Sequence, residues 1–107
     1  ASNRGKVETP IGLLHCLTTR AVKPGDWVLL GFRPAALRIV DDGCAGKTNT
    51  FRAEIAFTSF AGDFLECQLR VENQPLRAFL DPYWEFKTGD VISLHIPPER
   101  LATITAL

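Results

Sequence analysis

The sequence predicts an all-β fold, a small barrel that is closed or nearly closed. Three observations carry this reading. Apolar residues alternate with period two through most of the chain. Turn residues recur every several positions, and one segment repeats itself 64 positions further on. A small sheet left open would expose its edges, and closure removes them.

In chain order, the first alternating run is GLLHCLT, which carries Cys16. A turn follows at Lys23-Pro24-Gly25-Asp26, where Pro24 presets φ and Gly25 supplies the positive φ of a type II turn. The strand it launches places Val28, Leu30 and Phe32 on one face. Proline at the first position then allows about one helical turn in RPAAL. Next, FRAEIAFTSF reads as a long strand with Phe51, Ala53, Ile55 and Phe57 on one face. The run DFLECQLRVE carries Cys67, and PLRAFL alternates through Leu76, Ala78 and Leu80 up to the Asp81-Pro82 turn.

The remaining segment, FKTGDVISLHIPPERL, aligns without a gap on VKPGDWVLLGFRPAAL. Lys87, Gly89, Asp90, Pro98 and Leu101 fall on Lys23, Gly25, Asp26, Pro34 and Leu37, and Ile92, Leu94 and Ile96 fall on Val28, Leu30 and Phe32. Two equivalent strands therefore leave two equivalent turns. Cys16 and Cys67 stand only 51 apart, so the second half is longer by 13 residues, and that insertion holds Tyr83 and Trp84. The whole is best described as an OB-like five-stranded barrel with an internally duplicated strand-turn-strand unit, spanning residues 1–107 as one domain.

Composition narrows the function. Twelve basic and twelve acidic residues give a formal net charge of zero, which removes the long-range attraction that dominates binding to nucleic acids and anionic membranes. Three cysteines without C-x-x-C spacing suggest neither a disulfide framework nor a thiolate metal site, and fit a reducing cytoplasm. No apolar run reaches the length of a spanning helix, and ASNRGKVETP has no signal core. The chain contains no methionine, which leads us to expect a piece of a longer polypeptide or a processed start.

Candidate chemistry is sparse. Gly46-Lys47-Thr48 copies the end of a phosphate-binding P-loop, but the first glycine of that motif would fall on Asp41, and the segment lies between strands. His15 and His95 alternate out of phase with the apolar set and are expected to face solvent. Cys16 and Cys67 are in phase with it and read as small core residues. No nucleophile stands beside a base, so no catalytic, metal or cofactor site is expected. Ten aromatic residues are expected mainly to fill the core, with Tyr83 and Trp84 as contact residues for another domain. Arg33 has no counterpart in the second copy, where Pro97 stands, so the repeated fold does not require it. Its guanidinium suits a carboxylate or phosphate, either on a neighbouring domain or internal, such as Asp26.

The segment G-D-x-V-x-L-G-x-R-P at Gly25 to Pro34, with the second turn at Gly89-Asp90 and a glycine at Gly62, resembles the transport-associated OB domain, TOBE. The resemblance covers most of the chain. It implies the non-catalytic accessory domain that follows the ATPase in bacterial ABC importers for sugars, polyamines, iron and anions. The implied partners are the ATPase domain of the same chain and a second copy of the subunit, with Arg33, Tyr83 and Trp84 as contact residues. The implied location is cytoplasmic, touching the membrane only through permease subunits. Where that family usually has glutamate after Arg-Pro, this chain has Ala35. Related stand-alone barrels bind molybdate or tungstate, so a small-anion module is the alternative, although their S-A-R-N segment is missing here. A nucleic-acid-binding barrel is disfavoured by the charge balance.

Overall fold

Among the described residues, alternation becomes structure in nine strands. The computed structural model describes residues 4–18, 22–44 and 47–106. The strands are β1 (Arg4–Thr9), β2 (Gly12–Leu17), β3 (Val28–Gly31), β4 (Arg38–Val40), β5 (Thr50–Phe60), β6 (Leu65–Val71), β7 (Gln74–Leu80), β8 (Val91–His95) and β9 (Ala102–Ala106). They form a four-stranded sheet in the order β1-β2-β9-β3 and a five-stranded sheet in the order β4-β8-β5-β6-β7. The all-β, OB-like expectation holds, with one sheet curled into a half-barrel. Instead of five strands in one barrel there are two sheets among the described residues: of the expected strands, β2 and β3 lie in the four-stranded sheet and β5, β6, β7 and β8 in the five-stranded one. Among the described residues no helix is long and apolar enough to cross a membrane.

The duplication is visible in atomic detail. In both turns the backbone N–H of the lysine donates to the aspartate carboxylate, Lys23 to Asp26 at 2.9 Å and Lys87 to Asp90 at 2.8 Å. The aspartate N–H donates back to the lysine carbonyl at 3.0 Å in each turn. Gly25 and Gly89 have φ of 92° and 95°, which a side chain would resist. Each copy ends in a 3-10 turn opened by proline, Pro34–Ala36 and Pro98–Arg100, and each turn is followed by a buried leucine, Leu37 or Leu101.

The two copies are intertwined. β3 pairs with β9 and β4 with β8, so the first strand of each copy pairs with the last strand of the other. The registers match: Gly31 faces Ala102 as His95 faces Arg38, and Leu30 faces Thr103 as Leu94 faces Ile39. Neither copy can complete its pairing alone.

The core is one cluster of aliphatic residues and cysteines, among them Cys16, Ile55, Cys67, Leu94, Ile96 and Leu101. This corrects the expectation for the aromatics. None lies in the fully buried set, and Phe32, Phe51 and Phe86 only pack against it. Phe57 is likewise on the wrong face. The register of β5 against β6 shifts between Ile55 and Phe57, and the extra residue of this bulge turns Phe57 outward, leaving it exposed. Both buried cysteines fulfil their expected role, and burial pushes their thiols above the ordinary value, towards the inert protonated form.

Candidate functional site

The two 3-10 turns meet around a cavity of about 730 Å³. Arg33, the residue singled out as an exception to the repeat, lines it at the entry to the first turn. Phe32, Ala36 and Ile104 supply an apolar floor. A Cβ on Gly31 would meet the end of the exposed Ile104 side chain, which would have to turn aside. In the other copy that position is His95.

The charged wall is built from Arg33, Arg38, Glu99 and Arg100. Glu99 already has a partner, the guanidinium of Arg4 in a 2.5 Å ion pair. Its carboxyl is held below the ordinary value by its own backbone N–H first and by Arg4 next. No ion pair is formed by Arg33, Arg38 or Arg100 among the described residues. Asp26, suggested as an internal partner for Arg33, is instead occupied with the Lys23 N–H. A chain of zero net charge thus concentrates three uncompensated guanidinium groups on one concave surface.

Sequence reading found Arg33 and missed Arg38, Arg100 and Glu99, although the same signal marks all four. In the alignment of the copies, Arg33 stands opposite Pro97, Arg38 opposite Ala102, Glu99 opposite Ala35 and Arg100 opposite Ala36. Each charge replaces an apolar residue of the other copy. The repeated fold is therefore made without any of them.

Tyr83 and Trp84 are not part of this cavity. They follow β7 in a turn fixed by Asp81, whose carboxylate accepts from the Tyr83 N–H at 2.8 Å. Tyr83 is 91% exposed, and Trp84 stacks on Phe86 with ring centroids 5.6 Å apart. Trp27 and Leu29 are exposed at the start of β3. The structure thus separates a polar concave site from a set of exposed apolar side chains.

The histidines are half-buried and do not stand free in solvent as expected. Both backbone groups of His15 are bound by Asn49, and the Nδ1 of His95 lies 3.4 Å from the Thr50 hydroxyl. Among the described residues no three His, Cys, Asp or Glu side chains converge as metal ligands. Of the GKT segment, Gly46 lies outside the described residues, while Lys47 and Thr48 form the turn into β5.

Two polar anchors had no sequence signal of their own. Asn49 is buried with φ of 57°, accepting from the His15 N–H (2.7 Å) and donating to the carbonyls of His15 (2.8 Å) and Ile96 (3.0 Å). Asp42 accepts from the buried Ser93 hydroxyl at 2.8 Å and lies 3.4 Å from Arg52, and these neighbours hold its carboxyl below the ordinary value.

Intertwined β-units, exposed apolar side chains and a groove lined by arginines make up one small β module. Comparison with protein families places it: the TOBE domain model matches residues 30–104, and the chain belongs to that family of transport-associated accessory domains. No match was found among curated proteins.

Proposed function

We propose that this chain is the non-catalytic accessory domain of the ATP-binding subunit of a bacterial ABC importer, where it contributes to subunit dimerisation and regulation of transport. The observation that carries the reading is membership of the TOBE domain family over residues 30–104, a span that includes both proline turns and most of the intertwined repeat. In this role its partners are the ATPase domain of the same chain and a second copy of the subunit. It sits on the cytoplasmic face and reaches the membrane only through permease subunits.

The exposed aromatics support a docking role. Trp27, Tyr83 and Trp84 are large, rigid side chains of the kind enriched at interfaces, and the core does not use them. Sequencing the parent gene gives the first test: a P-loop and an ABC signature are expected upstream, and their absence would refute the proposal. A second test acts on the contact residues. Replacing Tyr83 and Trp84 by alanine in the parent subunit is expected to weaken self-association by about tenfold, a typical cost for interface aromatics. An unchanged dissociation constant by sedimentation would remove these residues from the interface.

A further inference from the structure

We infer that the free edge of β1 pairs with β1 of a second copy of this chain, antiparallel about a two-fold axis at Val7, so that the two four-stranded sheets become one. The inference stands on strand geometry and does not require the transport reading. It also lies outside the span shared with the family, because β1 and β2 precede residue 30.

Among the described residues the two sheets have four edge strands, β1, β3, β4 and β7. A regular edge is a template for another strand, and proteins blunt the edges that they leave unpaired. Three are blunted here. β4 has three residues, the register of β3 shifts between Leu29 and Leu30, and β7 carries Pro75 near its start with the first proline turn packed beside it. β1 instead keeps all six residues in unbroken register with β2, and contains no proline. Its backbone direction follows from its neighbours. Asn49 binds the N–H and the carbonyl of His15, and the Leu17 N–H donates to the Leu101 carbonyl at 2.8 Å, so both residues turn these groups away from β1. Across the ladder they stand opposite Lys6 and Arg4. Alternation then aims the backbone groups of Lys6 and Glu8 at the free edge, where they have no partner among the described residues. Residues 22–28 stand across a groove from this edge and leave it open.

Charge selects the occupant and the register. Arg4, Lys6 and Glu8 line the exposed face of β1, while Val7 packs against the core. Residues whose backbone points outward pair with residues of the same kind, which leaves few registers for two copies of the strand. Centred on Val7, Lys6 of each copy faces the partner's Glu8, and Arg4 keeps its ion pair with Glu99. Centred on Lys6, two lysines oppose each other and Arg4 must leave Glu99 to reach the partner's Glu8. Centred on Glu8, two carboxylates collide. Opposite charges facing across strands stabilise a pair and like charges destabilise it, so the Val7 register is the one this strand is built for.

The test combines sedimentation of the 107-residue chain with amide hydrogen exchange followed by NMR. A dimer is expected, and the Lys6 and Glu8 amides should exchange freely in dilute solution and become protected as it forms. Lys6→Glu and Glu8→Lys should each weaken the dimer by roughly tenfold, since two attractive cross-strand pairs become repulsive. Both substitutions together in one chain restore opposite charges in the Val7 register and should bring the dissociation constant back to within about threefold of the parent value. Centred on Lys6, the same double variant would stay weak. Tyr83→Ala with Trp84→Ala should leave the association of this isolated chain unchanged, which keeps the β1 contact distinct from the one proposed for the parent subunit. The proposal fails if the chain stays monomeric at millimolar concentration, if a dimer forms without protecting Lys6 and Glu8, or if the double charge variant is not rescued. Protection of this edge by a different protein and not by a second copy would equally overturn it.

Discussion

Asn49 closes the gap between β2, β5 and the end of β8, in a place where no strand pairing exists to satisfy the backbone. Its amide gives His15 a donor and an acceptor and also donates to the Ile96 carbonyl, while its own carbonyl accepts from the Ile96 N–H. Asn49→Ala removes three side-chain hydrogen bonds, one buried and two half-buried, and leaves a non-glycine residue at positive φ, so denaturant unfolding should show a loss of about 2–4 kcal/mol. Asn49→Asp should not rescue it, because a carboxylate would face two carbonyl oxygens. The opposite case is Thr103, whose buried hydroxyl has no hydrogen-bond partner among the described residues and whose counterpart in the other copy is Ile39. Thr103→Val keeps the shape and removes an unsatisfied group, and should raise stability by about 1 kcal/mol in the same assay. Asp42 responds to pH. Its carboxyl is depressed first by the Ser93 hydroxyl and then by Arg52. Its contribution is therefore complete above the ordinary aspartate value, roughly 3.9, and is lost as pH falls below that through its folded-state value. Stability measured across this window should fall less in Asp42→Asn than in the parent chain, and equal slopes would contradict the link. None of these three roles was legible in the sequence. A lone Asn, Thr or Asp has the same appearance in a loop as at an anchor, and only long-range pairing distinguishes them.

Local chemistry governs the elements, and there the sequence was more informative. The G-D turns, the proline-led 3-10 turns and the inward faces of β6, β7 and β8 are all set by neighbours within a few residues. β1 gave no such signal, because a hairpin strand with Arg4, Lys6 and Glu8 exposed reads as a polar tail. The β5 bulge was invisible for another reason: period two is kept in the sequence while the backbone inserts a residue, so Phe57 looked inward and is not. The bulge also makes the two equivalent turns unequal. Ile55 donates to the Asp90 carbonyl and accepts from the Gly89 N–H, both at 2.8 Å, whereas the Asp26 turn has no such strand beside it among the described residues. Asp90→Ala should therefore cost more than Asp26→Ala, about 2 kcal/mol against about 1, since it loosens a turn that is itself part of the ladder. Equal losses in thermal unfolding would show that the two turns act independently of their surroundings.

For the whole molecule, the repeat was legible but its intertwining was not. An alignment reveals that two segments are alike, whereas pairing β3 with β9 and β4 with β8 is a matter of topology. That swap gathers the exceptions to the repeat into one cavity while leaving Tyr83 and Trp84 on a separate surface. Arg33 was recognisable from its unmatched position, and Arg38 and Arg100 became recognisable only once the two copies were seen to interlock. A small module with exposed aromatic side chains is consistent with the proposed accessory role beside an ATPase. The most direct measurement of that role is made on the parent ATP-binding subunit, with and without this domain, following ATP hydrolysis and self-association together. The account predicts that removing the domain leaves hydrolysis at the nucleotide site intact and weakens the dimer by at least about tenfold, the scale of losing a small set of interface anchors. Loss of hydrolysis with the dimer unchanged would contradict it.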